Sequence, residues 1–541
     1  MSDATRRAVL IGGGVLVVVI LVAALLVLTT GEDRPGDAAP TSTEPAAPLA
    51  ATDVLGAYLS AFAAGRAEQA AGFTDDPAAA RSTITAVWRG LAATSAVVTK
   101  AGTVDQPSAT ATEFTEEATV TWSLGAGREW SHPITLTLRR VDGAWRVHWS
   151  PASVHPKLGP GQTLVLATRK GRAAVVDRDG APLLTWKDDR PTAEPGAVPL
   201  IAAAMGRIAL ELAGPGSWSV ALADSGGRQL EVLHSAGSAG AGPLRATISV
   251  PVQRAAQAAV DAEPKAAAII AIQPSTGELL AVAQNGAAGD DPKALQGLYP
   301  PGSTFKLATA VAALQSGVVT ADTVLPCPAQ VRIGGRTIPN ADRFALGDVP
   351  LHTAFAQSCN TTFAAVAAGL DPAAIPNAAA SLGLDADFDI PGINTELGGA
   401  QPAQSQAQRM EDAIGQGTVQ ASPLGVALMA ATVASGRAVT PKLWRGFDTR
   451  VNTGYQPPPA AVLAALRPMM REVVTSGRGS DLARFGAVYG KTGTAQFGDG
   501  TNSHGWFAGY RGDLAFAVLV EDAGAAGPAV RAAGEFLAET G

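Results

Sequence analysis

Three short polar motifs, far apart in the chain, restrict what it can fold into: Ser303-Thr304-Phe305-Lys306, Ser358-Cys359-Asn360 and Lys491-Thr492-Gly493. In this order S-x-x-K, S-x-N and K-T-G read as parts of one catalytic cleft, so a helix start, a polar loop and a strand must converge. Pro300, Pro301 and Gly302 end the preceding segment, and the run from Ser303 to Leu314 has the Ala, Leu and Val content of a buried helix. Ser303 then lies in the first turn, where free N–H groups and the helix dipole favour developing negative charge. Lys306, three residues on, shares that face and can reach the Ser303 hydroxyl. A serine hydroxyl is a weak nucleophile until a base takes its proton. Lysine is such a base only when burial and a neighbouring cation keep it neutral, and Lys491 is the candidate cation. Alone, S-x-x-K is an ordinary helix start with a solvated lysine.

The stretch Phe355–Phe363 is a polar interruption between apolar, Ala-rich segments. Ser358 suits a proton relay toward a leaving amine, and Asn360 suits a substrate amide and the orientation of Lys306. S-x-N has no weight alone, because both residues are common in turns. Ala487-Val488-Tyr489 leads into Gly490–Gln496, an expected strand whose glycines mark a close approach to the backbone. Lys491 offers a fixed cation, and Thr492 and Thr494, flanking Gly493, offer hydroxyls suited to a substrate carboxylate. The N–H groups of Ser303 and Thr494 are the candidate oxyanion hole. A phosphate loop is excluded, since G-x-x-x-x-G-K-[ST] is absent and this lysine opens no helix. Residues 501–510 and 514–520 read as two more strands, joined by the Arg511-Gly512-Asp513 turn.

With these motifs in place, residues 246–541 resemble the transpeptidase domain of class B penicillin-binding proteins. Ala271–Val282 is similar to that family's opening hairpin. Gly415-Gln416-Gly417 followed by Ser422-Pro423-Leu424 is similar to its G-Q-G…P-L segment. The resemblance implies a mixed α/β domain, an antiparallel sheet flanked by helices, with the cleft beside the Lys491 strand. It implies Ser303 as acylated nucleophile, Lys306 as base, Ser358 as proton relay and Asn360 as substrate contact. Lys491, Thr492, Gly493 and Thr494 would bind the carboxylate end of a stem peptide, with no cofactor or metal. The implied reaction is D,D-transpeptidation of peptidoglycan stem peptides ending in D-Ala-D-Ala, blocked by β-lactams.

A chain of 541 residues is too long for one core, so several domains are expected. Its net charge of −7, without a long basic run, makes nucleic acid a poor partner. Ala8–Leu28 is an unbroken apolar run of bilayer-spanning length, with Arg6 and Arg7 before it and Glu32 and Asp33 after it. That asymmetry predicts a single-pass anchor in the cell membrane, N-terminus cytoplasmic and bulk outside. A cleavable signal peptide is the competing reading, but its apolar core would span only about 7–15 residues. Residues 31–50, rich in Pro, Thr and Ala, read as a flexible linker.

Asp53–Arg66 and Pro77–Leu91 are helical by pattern, and strands are expected over Thr110–Trp122, His132–Arg140 and Ala144–Trp149. This α+β unit, 51–152, resembles the NTF2-like N-terminal domain of methicillin-resistance-type penicillin-binding proteins, including Trp145, Val147, Trp149 and Pro151 in W-x-V-x-W-x-P. A spacer role is expected for it. Arg172–Gly180 resembles the R-G-x-I-x-D-R-x-G segment of class B pedestal domains, with Ala173 where glycine is usual, so residues 153–245 are assigned to a pedestal that could meet cell-wall synthesis partners. Arg172 and Asp177 equally suit a simple salt bridge. The remaining divisions are 1–30 for the cytoplasmic tip and anchor and 246–541 for the transpeptidase domain. No glycosyltransferase domain precedes it, which argues against a bifunctional enzyme.

Other chemistries have little support. There is no G-x-S-x-G elbow, and the six histidines show no metal-ligand spacing. His504 is close to the third motif, as a cleft residue or a packed one. A D,D-carboxypeptidase or β-lactamase would differ only in using water to deacylate. Glu396 stands roughly where class A β-lactamases begin E-x-x-x-N, but Ala400 replaces the asparagine. A β-lactam sensor or non-catalytic scaffold is the third reading. Cys327 and Cys359, the only cysteines, fall outside the membrane on this topology, and an even count in an oxidising compartment favours a disulfide over two buried thiols.

Overall fold

Alternation and helical periodicity build the N-terminal unit. Val54, Leu55, Tyr58, Leu59 and Phe62 recur along one face of the helix Ala51–Ala63 and are buried. Gly65, at φ +70°, turns the chain before a short helix, Ala67–Ala71. Asp76 caps Pro77–Leu91 by accepting the Ala79 N–H at 3.1 Å. Four antiparallel strands follow in sequential order, Ser95–Lys100, Glu113–Ser123, Glu129–Val141 and Ala144–Val147. Asp142 and Gly143 both have positive φ (51° and 81°), as a two-residue hairpin of this hand requires. The strand Ser95–Lys100 was not expected: it lies at the sheet edge and buries only Ala96 fully, so no period-two signal shows.

The computed structural model describes residues 48–541 apart from 103–105, 189, 195, 196, 198, 213–215, 238–241, 499 and 500. These form two compact units, divided between Thr163 and Leu164. The expected membrane anchor lies outside the described residues, and among those no helix is long and apolar enough to cross a membrane.

In the second unit, residues 164–245 contribute strands to two small sheets. One of these orders Trp444–Arg445, Leu244–Ala246, Val175–Val176, Pro182–Lys187 and Arg190–Ala193. Asp177 holds the turn after Val175–Val176. Its carboxylate accepts the N–H groups of Asp179 and Ala181 (both 2.8 Å) and of Val250 (3.1 Å), the last at the start of helix α1, Val250–Asp261. Arg178 and Arg445 converge on Glu278, at 3.1 and 2.7 Å.

The central sheet runs β1 (Ala267–Ile272), β2 (Leu279–Gln284), β3 (Val488–Phe497), β4 (Asn502–Arg511) and β5 (Leu514–Val520) in chain order, arranged β2-β1-β5-β4-β3 and antiparallel throughout. Alternate residues of β1 enter different cores. Ala267, Ile269 and Ala271 join Ala256, Val260 and Phe536 from α1 and the C-terminal helix, while Ala268, Ile270 and Ile272 pack with Val426 and Leu428 of the largely apolar helix Pro423–Ser435. A sheet covered on both faces explains why β1 reads as a continuous apolar run. Ser422 caps Pro423–Ser435 by accepting the Gly425 N–H at 3.0 Å, with Pro423 at its first position. Among the described residues, β3 is an edge strand of this sheet.

Candidate active site

Ser303 lies in a 3₁₀ turn, Gly302–Phe305, that runs into the α-helix Lys306–Ser316, where an α-helical start was expected. Close packing at Gly302 accounts for the tighter turn. Gly302 has φ +53°, its N–H donates to Gly415 O at 2.9 Å, and a Cβ there would stand 2.5 Å from Thr494 O. In a 3₁₀ turn residues i and i+3 eclipse one another, so Ser303 and Lys306 still share a face. Ser303 is half-buried and Lys306 fully buried.

Lys306 Nζ donates to Asn360 Oδ1 (2.7 Å), Ser358 O (2.9 Å) and Ser358 Oγ (3.3 Å). Lys491 Nζ donates to the same Ser358 Oγ (2.9 Å) and to Thr492 O (2.9 Å). The Ser358 hydroxyl thus sits between two buried amines, within hydrogen-bond reach of both. Phe363 and Phe355 floor the two lysines, with ring centroids 5.5 and 5.6 Å from the nitrogens. Burial, then the neighbouring Lys491, hold Lys306 well below the ordinary lysine range. Burial, then Arg478, bring Lys491 down to about 7. An amine this depressed is a competent proton acceptor at neutral pH.

Ser358 has φ 61°, a left-handed conformation that costs a serine about 1–3 kcal/mol and marks functional sites when the surroundings enforce it. The enforcing contacts are local and distant. Cys359 N–H donates to Ala354 O at 2.8 Å, and Cys359 is bonded to Cys327, with Cα atoms 6.2 Å apart, within bridging range. Asn340, unremarkable in the sequence, is 2% exposed and organises the loop. Its Oδ1 accepts the N–H groups of Asn360 (2.8 Å) and Thr361 (3.1 Å), and its Nδ2 donates to Pro328 O and Phe344 O (both 2.9 Å). It therefore satisfies the first free donors of the helix Asn360–Ala368 from twenty residues upstream. Arg478, also unforeseen, stands 4.8 Å from the Phe344 centroid and donates through Nε to Gln357 O at 3.3 Å.

On β3 the side chains of Lys491 and Thr492 are buried while Thr494 is exposed. The Gln496 N–H and O face the Gln416 amide rather than β4, and strand alternation puts the backbone groups of Thr494 and Thr492 on the same outer side, so the Thr494 N–H lies on the open edge. Gly493 permits the approach that brings the motifs together: a Cβ there would lie 3.0 Å from Pro301 O, Thr304 Cγ2 and Trp506 Cβ. His504 is a packed residue, stacked on Phe497 (4.2 Å) with Tyr299 edge-on (5.2 Å), and burial lowers its pKa. Glu396 accepts the Gly398 N–H at 3.1 Å and lines a groove with Asp385 and Asp387. It makes no hydrogen bond to Ser303, Lys306 or Ser358.

A serine, two buried lysines joined through a second serine, and a strand-edge N–H are thus gathered in one cleft. Residues 267–538 match the penicillin binding protein transpeptidase domain, and residues 50–162 the NTF2-like N-terminal transpeptidase domain. The chain belongs to the penicillin-binding-protein transpeptidase family. It is 30% identical to peptidoglycan D,D-transpeptidase PbpA of Mycolicibacterium smegmatis over 355 residues, 55% of this chain and 71% of that protein. It is 28% identical to PbpA of Mycobacterium tuberculosis over 350 residues, 55% and 70%. The fold matches penicillin-binding protein A from M. tuberculosis, solved as a ceftriaxone acyl-enzyme complex (TM-score 0.55, 22% identity, 68% of this chain and 98% of that one). It also matches the D,D-transpeptidase domain of a peptidoglycan glycosyltransferase from Eggerthella lenta (TM-score 0.55, 21% identity, 69% and 98%).

Proposed function

We propose that this chain is a peptidoglycan D,D-transpeptidase that works through an acyl-enzyme on Ser303. Neutral Lys306 takes the Ser303 hydroxyl proton as Oγ attacks the carbonyl of the penultimate D-Ala of a stem peptide. The N–H groups of Ser303 and Thr494 stabilise the oxyanion. As the C–N bond breaks, the proton passes by way of Ser358 to the amine of the departing D-Ala. An amine from a neighbouring stem then attacks the ester, its proton goes to Lys306, and the Ser303 hydroxyl is restored. Lys491, Thr492 and Thr494 hold the donor's carboxylate end, and Asn360 its amide. The observation that carries this reading is the burial of Lys306 against Ser358 and Asn360 with a second lysine beside it. β-Lactams, which present a reactive carbonyl beside a carboxylate, acylate the same serine.

In this reading residues 1–30 anchor the chain in the membrane, 31–50 form a linker, and the catalytic residues work outside the cell membrane. The 51–152 domain acts as a spacer, and the pedestal residues, 153–245, offer a surface to cell-wall synthesis partners. The test uses the full chain in detergent. Penicillin should form an adduct that mass spectrometry maps to Ser303 and that Ser303→Ala abolishes; an adduct on another residue refutes the assignment. With a D-Ala-D-Ala peptide and an amine acceptor, the cross-linked product is expected. Hydrolysis product alone would make the chain a carboxypeptidase.

A further inference from the structure

The Gly415-Gln416-Gly417 loop takes part in no step above, yet its middle side chain stands where a bound peptide would continue. An extended peptide adds to a free strand edge by exchanging N–H and C=O pairs at every second residue. With its carboxylate end at Lys491 and Thr492, the donor runs antiparallel to β3, and its upstream residues head toward Gln496. A donor whose reactive D-Ala pairs at Thr494 meets its next rung two residues along, after about 6.8 Å. That rung is already taken. The Gln416 amide lies against the Gln496 backbone; with its nitrogen and oxygen assigned so that both find partners, the nitrogen donates to Gln496 O (3.1 Å) and the oxygen accepts the Gln496 N–H (2.9 Å). A primary amide carries the donor and acceptor of a peptide unit, so it completes the rung as a strand residue would.

The loop that carries Gln416 is braced from several sides. Gly415 O accepts the Gly302 N–H (2.9 Å), and the Gln416 N–H donates to Glu411 O (3.0 Å). Asp412 Oδ1 accepts the Thr418 N–H (2.8 Å) and Oγ1 (3.2 Å). We infer that Gln416 is a specificity-determining residue that ends the pairing between β3 and the acyl donor at Thr494, turning the upstream part of the donor off the sheet edge. This rests on the transpeptidase reading of Ser303.

The test compares the full chain with its Gln416→Ala and Gln416→Asn variants, the second an amide one methylene too short to reach. Synthetic α-linked donors ending in D-Ala-D-Ala carry none, one, two or three upstream residues, and D-alanine release gives kcat and KM. The residue two before the reactive D-Ala is the one that would pair with Gln496. In the wild type, donors long enough to include it should gain nothing from it. In both variants the ratio of long-donor to short-donor kcat/KM should rise about thirtyfold, through KM, as two backbone hydrogen bonds become available. A change equal at every length would make Gln416 a brace for the loop and overturn the inference, as would an unchanged length profile. A wild type that releases D-alanine from no donor refutes the transpeptidase reading and this inference together.

Discussion

Replacing Lys491 with methionine should stabilise the catalytic unit at neutral pH while disabling it. Lys491 is fully buried and titrates at about 7 rather than 10.5, so burying its charge opposes folding. The lowering corresponds to ~5 kcal/mol of disfavoured charge. The whole penalty is present below pH 7. Between pH 7 and pH 10.5 the unfolded lysine keeps a proton that the folded one has lost, so stability rises with pH through that window. Going from pH 7 to about pH 9 should therefore stabilise the wild type by ~2 kcal/mol relative to Lys491→Met. Losing Lys491 also relieves part of the depression at Lys306, which steepens the contrast. Two hydrogen bonds are lost, at about 1 kcal/mol each, leaving a net gain of ~2–3 kcal/mol for the variant at pH 7. Urea unfolding of the full chain in detergent at a series of pH values, followed by the fluorescence of buried Trp506, reads both quantities. Parallel pH curves for the two proteins, or a variant less stable at every pH, would refute the reasoning.

Two further outcomes are expected. Lys306→Arg keeps the charge but cannot become neutral, so acylation by penicillin should fall by orders of magnitude; near-normal acylation rates would remove Lys306 from the role of base. Replacing both Cys327 and Cys359 with serine should lower stability by ~3–4 kcal/mol on the chain-entropy scale and slow acylation, because Ser358 and Asn360 flank Cys359. Thiol titration of the denatured, unreduced wild type should find no free thiol, and two would show that the bridge is absent.

The three motifs were legible because their side chains occupy fixed offsets on regular elements. Ser303 and Lys306 keep their i, i+3 relation whether the turn is α or 3₁₀, so the spacing survives the difference in helix type. Lys491 and Thr492 are adjacent on one strand. Asn340, Arg478 and the rung made by Gln416 left no comparable trace. They act on distant backbone groups, such as the Asn360 N–H and Gln357 O, and no local pattern records which remote peptide an amide or guanidinium will meet. The edge strand Ser95–Lys100 escaped for a different reason: only Ala96 is buried in it, so it shows no alternation.

The open edge of β3 has a consequence beyond substrate binding. An unpaired strand edge is a template for any extended chain, including a second copy of the same protein. Keeping it free for a donor exposes the molecule to self-association through the same hydrogen bonds. Gln416 fills the rung at Gln496. Two molecules meeting edge to edge would have to break the Gln416–Gln496 pair in both. The open stretch is left long enough for a short peptide and too short for a neighbouring strand, so the cleft that admits the substrate also discourages aggregation.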